Sequence, residues 1–116
     1  MTHTTIWHNP RCSKSRQTLA LLEERGVTLV IRKYLDDAPT VDDLRQAAEA
    51  LGLGPSGFVR KGEAEFKELG LSLEDDPDTL FAAMAAHPRL IERPIVFVGG
   101  KAALGRPPEQ VLTLLG

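Results

Sequence analysis

A chain of 116 residues with 42% hydrophobic and 26% charged content is sized for a single globular domain, residues 1–116, around one core. It lacks the run of about 18 apolar residues that a membrane span needs, and its net charge of −2 offers no bulk attraction to nucleic acid or anionic lipid. Neither a membrane nor a nucleic acid is therefore expected as a partner.

The opening Met1-Thr2-His3-Thr4-Thr5 has neither the basic start nor the apolar core of a signal peptide. One cysteine cannot form an internal disulfide, so a reducing, cytoplasmic location is expected. Thr4 to Trp7 reads as a short strand, followed by a turn at Asn9-Pro10. A helix then runs from about Cys12 to Arg25, with Leu19 and Leu22 on one face and Gly26 as its stop. Trp7 is expected to pack beneath the loop between strand and helix. Val27 to Tyr34 is an almost continuous apolar run, which predicts a strand buried on both faces and paired parallel to the first.

The middle of the chain is helical, an insertion over about residues 40–88. Thr40-Val41-Asp42-Asp43 resembles a capping box for a helix ending at Gly52. A second helix spans Glu63 to Leu69 before Gly70, and Asp76-Pro77 starts a third that runs to about Ala86 and is broken by His87-Pro88. Ile95 to Val98, Gly99-Gly100 and Lys101 to Leu104 predict a hairpin, and Pro107-Pro108 starts a last helix over Glu109 to Leu115. The order β-α-β, helical lobe, β-β-α is that of an α/β fold with thioredoxin-like architecture.

Cys12 stands where the first strand hands over to the first helix, within His8-Asn9-Pro10-Arg11-Cys12-Ser13-Lys14-Ser15-Arg16. A structural core cysteine belongs among aliphatic neighbours, and none occurs here between Trp7 and Leu19. A thiol beside His8, Arg11, Lys14 and Arg16, at the positive end of a helix, is predicted to ionise below its ordinary value. Free amides of the first turn add an anion cradle. Three further arginines, Arg60, Arg93 and Arg106, each sit at a break in structure. Their planar forks suit a tetrahedral oxyanion, and the loop before the third strand places Arg93 within reach of Cys12 in such a fold.

The Cys12 loop, Leu90-Ile91-Glu92-Arg93-Pro94-Ile95-Val96 and Gly105-Arg106-Pro107 together resemble the glutaredoxin-coupled arsenate reductase family over essentially the whole chain. The resemblance implies an enzyme of arsenic detoxification, an oxidoreductase that reduces arsenate to arsenite. Cys12 would be the nucleophile and His8 its catalytic helper, with Arg60, Arg93 and Arg106 binding the substrate. Ser15 would support the sulfur, and Pro94 matches the family's cis-proline. No tightly bound cofactor and no metal is implied. Glutathione would be the co-substrate and glutaredoxin the partner that reduces the resulting mixed disulfide. Two departures stand out: Ser13-Lys14 replaces a Gly-Thr pair, and the chain ends soon after its last helix.

Competing chemistries fit less well. Phosphatase-like reductases need five residues between cysteine and arginine, whereas only three separate Cys12 from Arg16. Ser15 occupies the second position of a C-x-x-C pair, which removes self-contained disulfide exchange. A glutathione-dependent thiol oxidoreductase with another substrate ranks second, and a redox regulator binding RNA polymerase ranks third. His3 and His87 have no second ligand at metal-binding spacing. Gly99-Gly100 lacks the Lys-Ser/Thr of a phosphate loop, and Asp36-Asp37 and Glu74-Asp75-Asp76 are solvated charges near helix starts.

Overall fold

The computed structural model describes residues 4–115; His3 lies outside them. Two units divide the chain. One runs to Asp37 and resumes at Arg93, and the other spans Ala38–Glu92.

The first unit holds a four-stranded sheet in the order β2-β1-β3-β4, built from β1 (Thr4–Trp7), β2 (Leu29–Arg32), β3 (Ile95–Val98) and β4 (Lys101–Leu104). β1 runs parallel to β2 and antiparallel to β3, and the β3–β4 hairpin closes the edge. Helix α1 (Ser13–Glu24) makes the crossover from β1 to β2 and ends before Gly26, whose φ of 70° is the left-handed value that glycine takes without steric cost. Ile6 of β1, Leu22 of α1, Val96 of β3 and Val111 near the C-terminus are fully buried in one cluster. This is the mixed α/β fold expected from the order of the elements.

Strand β2 differs from expectation. Instead of being buried on both faces it is an edge of the sheet, with Val30 54% and Ile31 47% exposed. Only Leu29 reaches the core cluster. An apolar run therefore overstated burial, because among the described residues no further strand pairs with its outer edge. The last helix also differs: Pro108–Leu115 is a 3-10 helix, not an α-helix. Pro108 and Val111 are buried and Leu114 packs on the core, a spacing of three that fits three residues per turn.

Trp7, at the end of β1 next to the loop, is buried against the sheet. Alternation along β1 turns Ile6 toward α1 and Trp7 to the opposite face, where its ring centroid lies 5.0 Å from that of Phe97 and 5.4 Å from the Arg32 guanidinium.

In the second unit α2 (Val41–Leu51) begins with the predicted capping box: the Asp43 N–H donates to Thr40 Oγ1 at 3.1 Å, and the Thr40 N–H to Asp43 Oδ2 at 3.0 Å. Leu44, Ala47 and Ala48 form its buried stripe, and α2 packs against α4 (Pro77–Ala86). The short α3 (Ala64–Glu68) lies between them in sequence. An isolated bridge joins Val59 to Ile91. Among the described residues no helix is long and apolar enough to cross a membrane.

Candidate active site

The loop after β1 is built by asparagine and serine side chains. Asn9 Oδ1 accepts the Arg11 N–H at 3.0 Å and the Asn9 carbonyl accepts the Cys12 N–H at 3.0 Å, which closes a tight turn. The Asn9 N–H in turn donates to Ser15 Oγ at 3.0 Å, tying the turn to the first turn of α1. Cys12 then occupies the N-cap of α1 in extended conformation, its carbonyl accepting the Arg16 N–H at 3.0 Å. Its sulfur stands where a serine or aspartate cap would place its oxygen, toward the Ser15 and Lys14 amides of the first turn.

Sulfur acidity reflects opposing effects. Burial, the largest, raises the thiol pKa by penalising the charged form. The amide of Ser15, the Arg93 guanidinium, the amide of Lys14 and the Arg106 guanidinium outweigh it together, so the thiol ionises below its ordinary value. The direction agrees with the expectation, and so do the first-turn amides among its causes, but the cations differ. Arg11, Lys14 and Arg16 are exposed, and Arg16 donates to the Pro10 carbonyl at 3.0 Å. The cations that act on sulfur come from the far end of the chain.

Arg93 and Arg106 are held as a pair. The Gly105 N–H donates to the Pro94 carbonyl at 2.9 Å, and Arg106 Nε donates to the Arg93 carbonyl at 2.9 Å. The other end of the Arg106 guanidinium, Nη2, lies 3.7 Å from Cys12 Sγ. Both Arg93-Pro94 and Arg106-Pro107 are cis. The first is the state the resemblance implied and the residues alone left open; the second was not anticipated.

His8 is buried, its N–H bound to the Arg32 carbonyl at 2.8 Å and its Nδ1 2.7 Å from Ser15 Oγ. Burial first, then the charges of Lys33 and Arg16, lower its pKa and keep the ring neutral at pH 7. It therefore supplies no positive charge to the thiolate. Ser15, fully buried, bonds the imidazole and the Asn9 amide.

Arg60 belongs to the second unit. There its guanidinium pairs with Glu63 and, at 3.7 Å, with Glu92, so that two carboxylates share its charge. Its backbone N–H donates to the Leu90 carbonyl at 2.7 Å.

Sequence reading missed Asn9 as the organiser of the turn and Thr18 as a fully buried polar residue. The buried stripe of α1 is Ser15, Thr18 and Leu22. A spacing of three and four marks one face whether its residues are apolar or not, and that was the available signal.

One result follows from the charge arrangement. Iodoacetamide alkylation of Cys12 followed against pH should show a midpoint below the unperturbed value of about 8.5. A midpoint at or above that value would contradict the activated thiol.

The ArsC family model matches residues 7–114. An arsenate reductase of Neisseria meningitidis is 48% identical over 117 residues, covering 99% of this chain and all of its own length. An arsenate reductase of Escherichia coli is 39% identical over 99% of this chain and 82% of its own length. Among solved structures, an arsenate reductase from Vibrio cholerae is 50% identical and superposes with a TM-score of 0.93 over 97% of this chain and 98% of that one.

Proposed function

The chain belongs to the ArsC family, and from that premise we propose that it reduces arsenate to arsenite, with Cys12 as nucleophile, glutathione as electron donor and glutaredoxin as recycling partner. The observation that carries this reading is the approach of Arg106 to within 3.7 Å of the Cys12 sulfur while Arg93 lowers the same thiol's pKa. Two guanidinium groups converge on one nucleophile from distant sequence.

Arsenate is an anion at neutral pH and a bare thiolate would repel it. Arg93 and Arg106 offset that repulsion and orient the oxyanion for in-line attack. Arg60 enters the oxyanion set on the family resemblance alone. Attack by Sγ on arsenic forms a sulfur–arsenic bond as one protonated oxygen leaves as water. A glutathione thiol then forms a disulfide with Cys12. The two electrons released by joining two thiols reduce arsenic(V) to arsenic(III), which departs as arsenite. Glutaredoxin with further glutathione restores the Cys12 thiol by exchange. Neutral His8, through Ser15, fixes the loop around the sulfur and does not act as a charge.

The chain has a single cysteine, so no internal thiol is available to resolve the adduct. Purified protein with arsenate alone should show no sustained turnover. Adding glutathione and glutaredoxin should start it, followed as NADPH consumption through glutathione reductase. Mass spectrometry after treatment with oxidised glutathione should find one glutathione on Cys12, removable by glutaredoxin. Glutathionylation without any arsenite formed would favour a thiol-dependent oxidoreductase acting on another substrate. Arsenite production with thioredoxin and no glutathione would overturn the donor assignment.

A further inference from the structure

Thr18 lies at the buried face of α1, a turn and a half beyond Cys12, with no solvent exposure. Its hydroxyl donates to the Lys14 carbonyl at 2.8 Å, which fixes the rotamer and the position of Oγ1. Directly against it sits Gly105. A Cβ added at Gly105 would fall 2.5 Å from Thr18 Oγ1, 2.5 Å from Pro94 Cγ and 3.0 Å from Pro94 Cδ. None of these atoms is the free end of a flexible chain. Oγ1 is tied to the helix backbone, and the Pro94 ring is buried. The backbone at Gly105 is thus wedged between a helix residue and a proline ring with no spare room. The next residue is Arg106, whose guanidinium spans the Arg93 carbonyl and the Cys12 sulfur.

We propose that Thr18 is a positioning residue: through its contact with Gly105 it sets how far Arg106 reaches toward the Cys12 sulfur. Cys12 and Thr18 belong to one rigid helical segment. The β3–β4 end carrying Arg93 and Arg106 is a separate piece of chain that must be brought to a fixed height against it. The Thr18–Gly105–Pro94 stack gauges that height at the residue next to Arg106, while Leu22, Val96 and Val111 hold the same pieces together farther along α1. A side chain at residue 105 would push Arg106 away, and loss of Oγ1 at residue 18 would let the segment settle differently. The kinetic part of this inference rests on the arsenate reading; the thiol part does not.

Four variants test it: Gly105→Ala, Thr18→Ala, Thr18→Ser and the double Gly105→Ala/Thr18→Ala. Each is assayed for the alkylation midpoint of Cys12, for KM and kcat with arsenate, and for thermal unfolding. Gly105→Ala should raise the midpoint and increase KM several-fold, with a smaller effect on kcat at saturating arsenate. The double variant should recover part of both changes, because one of the two blocking groups is gone, so the two sites couple and do not add. Thr18→Ser keeps Oγ1 and should match the parent, whereas Thr18→Ala should not. A natively folded Gly105→Ala protein with parental midpoint and KM would overturn the proposal. So would additive changes in the double variant, or identical behaviour of Thr18→Ala and Thr18→Ser. If Gly105→Ala does not fold, the two single Thr18 variants still decide. A purely structural threonine would lower the unfolding temperature and leave the midpoint in place. Because alkylation needs no arsenate, the midpoints decide the positioning role even if the parent protein fails to reduce arsenate.

Discussion

Cys12→Ser should bring arsenate turnover down to background while leaving the fold intact or slightly more stable. The loss is total for a redox reason as well as a nucleophilic one. A serine hydroxyl stays protonated at neutral pH, and no disulfide can form at oxygen, so the two electrons that arsenic needs have no source at residue 12. Stability moves the other way. Cys12 is the N-cap of α1, and the Ser15 and Lys14 amides that favour its thiolate are the ones a serine hydroxyl would take over. Serine is a preferred N-cap, and its hydroxyl can accept from these same amides, a contribution of up to about 1 kcal/mol. Circular dichroism and thermal unfolding would check the fold beside the kinetics. Retained arsenite production in this variant would remove Cys12 from the mechanism, and a large fall in unfolding temperature would show that the sulfur is structural. The expected pairing of dead activity with equal or better stability is what separates a functional residue from a packing one.

Arg93→Ala and Arg106→Ala should each reduce kcat/KM for arsenate by about ten- to a hundredfold, since one bond to a charged group contributes about 1.5–3 kcal/mol. Both should also raise the alkylation midpoint of Cys12, because both guanidinium charges lower that pKa, Arg93 more than Arg106. The sign follows from charge: removing a cation disfavours the thiolate, so more alkali is needed to ionise the thiol. At pH 7 the thiolate fraction therefore falls, and part of the rate loss should return on raising the pH. The two effects should not add, since Arg106 Nε also holds the Arg93 carbonyl. Lysine at either position should recover only part of the activity, as a point charge cannot bridge sulfur and carbonyl as the fork does. Unchanged kinetics in both alanine variants would move the oxyanion site elsewhere. Arg60→Ala addresses the third family arginine: an unchanged KM would take it out of the oxyanion set.

Much of the fold was legible because its boundaries carry local chemistry. Thr40 with Asp43, Gly26, Gly52, Asp76-Pro77 and Gly99-Gly100 each mark an end or a turn through backbone requirements that neighbours cannot alter. Val30 and Ile31 misled because an apolar run reports an affinity for burial, and whether another element arrives to cover it is decided by topology. The 3-10 geometry of Pro108–Leu115 likewise depends on what Val111 and Leu114 find beneath them. At the site, Cys12 could be picked out from its lack of aliphatic neighbours and Arg93 and Arg106 from their prolines. The first-turn amides that favour the thiolate were legible too, but the cations that do so could not be read locally. The nearby Arg11, Lys14 and Arg16 point to solvent, and the effective cations are remote in sequence. Gly105 stood in plain view beside Arg106, but the need for glycine there is a need for space against Thr18 and Pro94. Such a need exists only once the chain has folded.

Arg106 and Cys12 are 94 residues apart, and β1 pairs with β3 across almost the same separation. Contacts of that span close late, after local helices and turns have formed. The amides that favour the thiolate arrive with α1, early; the guanidinium groups arrive only when β3 and β4 dock. Without β3 and β4 docked, Cys12 would lack both guanidinium charges and stand nearer an ordinary thiol. The set of charges that favours the thiolate is complete only when the strands that carry Arg93 and Arg106 are in place.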